Sequence, residues 1–145
     1  MKRSQIRENI FKLLFRLDFH NSEDMKEQLN FYLDDIGLVQ DYPEIKDDIS
    51  KMTLEEKELV INTVKNIIDN IPEIDNKINE VSDNWKTSRM TKVDLTIIRL
   101  AVYEIQMDEN VPDKVAINEA VELAKMYGTD KSKAFVNGVL SRFVD

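Results

Sequence analysis

The chain has 145 residues, 42% of them hydrophobic and 33% charged. That is enough for one domain with its own core, and it has neither the apolar run of a membrane span nor the low hydrophobicity of a disordered chain. There is no cysteine and one histidine, His20, which excludes disulfides, thiol nucleophiles and thiolate or multi-histidine metal sites.

The formal net charge of −8 is unevenly spread: residues 1–17 carry +4, residues 18–83 carry −12, residues 84–100 carry +3 and residues 101–145 carry −3. Fields in physiological salt decay over roughly 8 Å, so an acidic protein can still bind an anion at either basic block. The alternative is that the basic start only keeps a helix soluble. With three glycines there is no glycine-rich phosphate loop and no dinucleotide fingerprint, so no cofactor is expected. The N-terminus lacks the apolar core of an export signal, which gives the cytoplasm as the expected location.

Apolar spacings of three and four dominate, and sustained period-two alternation is absent, so the expected fold class is all-α, with about seven helices. A first helix from Ser4 to His20 carries Ile6, Ile10, Leu13, Leu14 and Leu17 as its stripe. Ser22 caps a second helix, with Met25, Leu29, Tyr32, Leu33 and Ile36, that stops at Gly37 and is followed by a loop at Pro43. Thr53 to Glu56 form a capping box that opens a third helix through Leu59, Val60, Val64, Ile67 and Ile68, ending near Pro72. A short fourth helix takes Ile74, Ile78 and Val81.

A fifth helix, from about Thr91 to Met107, is apolar nearly all round and belongs at the centre of a bundle. After Pro112, a sixth helix places Ala116, Ala120 and Ala124 on one ridge, where another helix can approach closely, and stops at Gly128. The last, from about Lys131 with Thr129 or Asp130 as cap, buries Phe135, Val136, Val139, Leu140 and Phe143. The expected organisation is a single domain, 1–145, of two packed three-helix sub-bundles, about 1–71 and 72–145.

No constellation suggests catalysis, and the expectation is that the protein is not an enzyme. Carboxylate pairs such as Glu119 and Glu122 are those of a solvated helix face, and His20 fits the C-terminal end of a helix dipole better than a general base. Arg3 and Arg7 share the side of the first helix that carries Ile10 and Leu14, whereas Lys12 and Arg16 face the other way. Two arginines that continue a buried stripe can snorkel, pair with acids of the body, or meet an external anion where the helix outruns the core. At the other end, Lys131 and Lys133 flank a helix start beside Phe135 and Asn137. Cations beside an aromatic ring suit single-stranded nucleic acid, but plain core packing of Phe135 and a close helix crossing at Gly138 explain the same residues.

The run VPDKVAINEAVELAKMYGTDKSKAFVNGVLSRF over residues 111–143 closely resembles the C-terminal signature of the NusB family of bacterial transcription antitermination factors. So do the central VDLTIIRLAVYEI and the opening R-x-x-x-R-E-x-x-x-x-L-L-F. The resemblance implies an all-helical, non-enzymatic protein that pairs with NusE, a small-subunit ribosomal protein, and with it binds the single-stranded boxA element of nascent RNA. The complex then joins NusA, NusG and RNA polymerase in the processive transcription of ribosomal RNA operons.

Carried to this sequence, the resemblance assigns RNA binding to Lys2, Arg3, Arg7, Lys133, Phe135 and Asn137, and the NusE-facing side to Phe15 and Asp94. Five positions depart from the family pattern: Ser4 and Gln5 interrupt the arginine run, Lys131 stands where an acid is common, Ala134 where a base is usual, and Phe15 replaces a frequent tyrosine. A homodimer is compatible with the resemblance, as is a monomer. The competing expectation is a helical protein-binding adaptor that does not touch RNA, its N-terminal arginines held in internal ion pairs.

Overall fold

The computed structural model describes residues 1–18, 25, 27, 29 and 51–144. Among them there are five α-helices and no strand: α1 (Arg3–Leu17), α2 (Leu54–Val81), α3 (Lys92–Met107), α4 (Asp113–Tyr127) and α5 (Ser132–Leu140). Short 3-10 turns at Thr87–Arg89 and Ser141–Phe143 complete the order. The chain divides into two compact units, Met1–Asp69 and Asn70–Asp145.

In the first unit the stripe of α1 is buried as its spacing requires: Ile6, Ile10, Leu13, Leu14 and Leu17 are all nearly inaccessible, with Phe11 beside them. Met25 and Leu29 are helical and buried. The rest of the expected second helix, with its cap Ser22, its stop Gly37 and the Pro43 loop, lies outside the described residues, as does His20. The capping box at the start of α2 is made in both directions: the Glu56 N–H donates to Thr53 Oγ1 at 3.1 Å, and the Thr53 N–H donates to Glu56 Oε1 at 2.9 Å. The other Glu56 oxygen pairs with the Met1 ammonium at 3.0 Å, tying the start of α1 to the first turn of α2.

The expected break at Pro72 does not occur, because α2 runs through it for 28 residues. A proline inside a helix removes one N–H donor and crowds the preceding turn, at a cost of about 3 kcal/mol. Here the apolar residues keep three- and four-residue spacing across it, with Val60, Val64 and Ile67 before and Ile74 and Ile78 after, and all five are buried, whereas Leu59, expected with them, lies off that spacing and is exposed. Each buried isoleucine contributes about 1.5–3 kcal/mol, so one uninterrupted stripe outweighs the lost bond. Pro72 itself is exposed.

In the second unit α3 is the central helix, with Leu95, Ile97, Ile98, Leu100, Ala101 and Val102 buried on several sides. The Asp94 N–H donates to the Thr91 side chain at 3.2 Å, which caps its start. Arg99 forms a fork on Asp75 of α2, through Nε at 2.8 Å and Nη2 at 2.7 Å, so one of the bases of the 84–100 block is neutralised inside the unit. The helices α3, α4 and α5 pack against one another, and the row Ala116, Ala120 and Ala124 is buried, as a close-approach ridge should be.

The turn from α4 to α5 depends on Gly128. Its N–H closes the helix on the Ala124 carbonyl at 2.9 Å, and its φ is negative. A Cβ there would fall on the Ser132 side chain and lie 2.8 Å from the Ala124 oxygen, so the glycine is required by space and not by a left-handed backbone. Ser132, buried, accepts the Thr129 N–H at 2.9 Å and so secures the first turn of α5.

Candidate nucleic-acid interface

The cations predicted at the start of α1 separate by depth. Lys2 is the N-cap; its N–H donates to Gln5 Oε1 at 2.9 Å, and its side chain is exposed. Arg3 is exposed as well, and among the described residues neither it nor Lys2 is joined to a carboxylate. Arg7, one turn further, is only 8% exposed and is engaged by other groups. A position one turn deeper on a buried stripe draws the guanidinium into the body, where its charge needs partners. The sequence placed Arg3 and Arg7 on one face, and the structure leaves only Arg3 of the two at the surface.

On α5 the predicted residues divide around the helix axis. Lys133 and Asn137, one turn apart and both exposed, line a cleft of mixed polar and apolar lining, about 540 Å³, together with Asn118, Val121, Glu122 and Lys125 of α4. Lys125 is already paired with Glu122 at 3.1 Å, whereas Lys133 has no carboxylate partner among the described residues. Phe135 points elsewhere. It is half-buried and meets Trp85 edge to face, with ring centroids 6.4 Å apart at 84°. These two rings, with Gly138 and Arg142, line a second, mostly apolar slot of about 290 Å³. Ala134, where a base is usual in the resemblance, forms a wall of both clefts.

Gly138 is not a close-crossing glycine. A Cβ there would meet no atom within 4 Å, so the residue leaves the slot open where a side chain would stand. Sequence reasoning misses Trp85 because it sits alone in the polar segment SDNWKTS, outside any apolar period; its solitude among turn residues is the signal that could have found it.

Of the two residues assigned to a protein partner, Phe15 stacks on Phe11 at 6.1 Å and is half-buried. Asp94 is buried in the first turn of α3, and its Oδ1 has no hydrogen-bond partner among the described residues. No group of histidine, cysteine or carboxylate side chains among the described residues could hold a metal ion, and none of their helices is long and apolar enough to cross a membrane.

The described residues thus define a small all-helical protein with solvent-facing cations in each unit and an exposed aromatic slot in the second. Residues 4–145 match the model of the NusB family. The chain is 48% identical to the transcription antitermination protein NusB of Agathobacter rectalis, over 99% of both chains, and 43% identical to that of Lachnoclostridium phytofermentans over the full length of each. Its structure is similar to that of T. maritima NusB, with a TM-score of 0.78 and 31% identity over 99% of this chain and 90% of that one. The chain belongs to the NusB family.

Proposed function

We propose that the protein is a transcription antitermination factor that, together with NusE, binds the boxA element of nascent ribosomal RNA operon transcripts, and that this complex works with NusA, NusG and RNA polymerase. The observation that carries the reading is the full-length match to relatives named transcription antitermination protein NusB. The role is in transcription and without catalysis, a reading that the family match supports, and the cytoplasm is where such a factor meets nascent RNA.

The surface chemistry supports RNA as the ligand. Lys2 and Arg3 offer unpaired cations, with Arg7 buried behind them. Lys133 and Asn137 supply a second cation and an amide, and Phe135 belongs to an aromatic slot. Phosphates take the cations and unstacked bases take the rings. Phe15 and Asp94 are assigned by the resemblance to the NusE-facing side; of the two, Phe15 is the more accessible, while Asp94 Oδ1 is buried without a partner among the described residues. The acidic block over residues 18–83 steers a basic ribosomal protein towards this one.

The burial of Arg7 is the one observation on the side of the alternative, a protein-binding adaptor without RNA contact. Titration of a boxA oligoribonucleotide into the protein with and without NusE separates the two. Tighter binding in the complex, lost stepwise with salt, is the expected result, and a complex with NusE that does not hold the RNA overturns the reading.

A further inference from the structure

We propose that Trp85 is the platform on which one unstacked base of the RNA rests, with Phe135 as its buttress. This deepens the function proposed above and rests on it. Stacking needs an accessible ring face, and the two rings differ in that respect. Trp85 is 52% exposed, while Phe135 is half-buried and spends its contact on the indole in an edge-to-face pair.

Leaving the chain's only tryptophan in water forgoes a large burial gain, so its orientation by so many bonds calls for a use. The turn that presents it is fastened on both sides. Ser82, itself buried, donates its hydroxyl to the Trp85 carbonyl oxygen. Lys86 Nζ donates to the Asn79 carbonyl oxygen at 2.7 Å, and the Asn79 side chain accepts the Thr87 N–H at 2.9 Å. These bonds fix the backbone of the turn and the Phe135 edge contact restrains the indole, so less freedom is lost on binding, which favours affinity.

The surroundings fit a nucleotide. The slot beside the ring has about 290 Å³, roomy for one base, and Gly138 leaves its floor bare. Arg142 at the rim is held by the Val81 carbonyl oxygen and by Asp83 at 3.2 Å, and it remains half exposed, with further N–H groups for a phosphate. Lys133 stands across Ala134 in the adjoining cleft. An indole face flanked by cations is the arrangement that sequence-tolerant binding of single strands uses.

Because Trp85 is the sole tryptophan, its emission reports on this slot directly, with the Trp85→Phe complex as the blank for any fluorescence from NusE. Adding a boxA oligoribonucleotide to the preformed complex with NusE should quench Trp85. Trp85→Leu should weaken RNA binding by between about five-fold and a hundred-fold, and Trp85→Phe by only a few-fold. Gly138→Leu, which fills the slot from an exposed helical position, should weaken binding without lowering the melting temperature, and it carries the test if Trp85→Leu fails to fold.

Normal affinity in both Trp85→Leu and Gly138→Leu, with no quenching, overturns the platform and leaves the RNA-binding function standing. A change of emission on adding NusE alone, with no further change on adding RNA, also overturns it, since a protein then covers the ring. A wild-type complex that binds no RNA removes both the platform and the function on which it rests.

Discussion

At the start of α1 the cations are sorted along the helix, whereas on α5 the functional side chains are sorted around it. Arg3 stands in solvent and Arg7 one turn later is buried, because the stripe they share runs from outside the body into it. On α5, Lys133 and Asn137 face a cleft that carries charged and amide side chains while Phe135 and Gly138 face an aromatic slot. The first arrangement yields a cation and its structural anchor; the second yields two adjoining surfaces of different chemistry. Availability to a ligand is therefore decided by depth in one region and by azimuth in the other, and charge counted along the chain reports neither.

The strongest way to break the second region is at Gly128. Gly128→Ala puts a methyl on Ser132 and should cost about 1–3 kcal/mol in urea denaturation, while also displacing α5 and weakening RNA binding. Gly138→Ala is the control on the same helix: with no atom near its Cβ it should raise stability by about 0.5–1 kcal/mol.

The contrast within α1 makes a paired prediction. Arg7→Ala should destabilise by about 1–3 kcal/mol, since it empties a buried position and leaves its partner groups unsatisfied. Arg3→Ala should change stability by less than about 0.5 kcal/mol and instead reduce the salt dependence of RNA binding by about one phosphate's worth of released counterion. Equal stability losses from the two would erase the distinction between anchor and surface cation.

The smallest expected effect lies at Glu56. The Thr53 N–H, and after it the hydrogen bond and charge of the Met1 ammonium, hold its carboxyl below the usual glutamate range. A depressed carboxyl stabilises the fold above its ordinary value of about 4.5, and that contribution fades as pH falls through the lowered folded value. Acid denaturation of Glu56→Gln should therefore be less steep than that of wild type at low pH, with a small stability deficit at neutral pH.

Much of this is legible in the chain. The α1 stripe, the capping box at Thr53, the all-round apolar α3 and the alanine ridge follow from spacing alone, because burial and helical period coincide there. Pro72 misleads, since a local rule about proline does not weigh the apolar stripe on its far side. Gly138 reads as a close-crossing residue, yet Gly128 is the glycine with no room; which one is crowded depends on where Ser132 lies, a matter of tertiary packing. The depth of Arg7 is one of three open readings of the sequence, because a helical wheel gives direction and not the point at which a helix enters the body. Trp85 is inconspicuous for the converse reason: it belongs to no period at all.

In the proposed function, surface cations of this protein, in complex with NusE, hold single-stranded RNA. This is tested most directly by reversing Arg3 and Lys133 together, as Arg3→Glu with Lys133→Glu, and measuring the affinity of the complex for a boxA oligoribonucleotide across a range of salt. The double variant should form a much weaker complex whose log Kd rises less steeply with log salt, by roughly 0.7 for each phosphate no longer neutralised, with the melting temperature unchanged. Wild-type affinity and an unaltered salt slope in the double variant would contradict it.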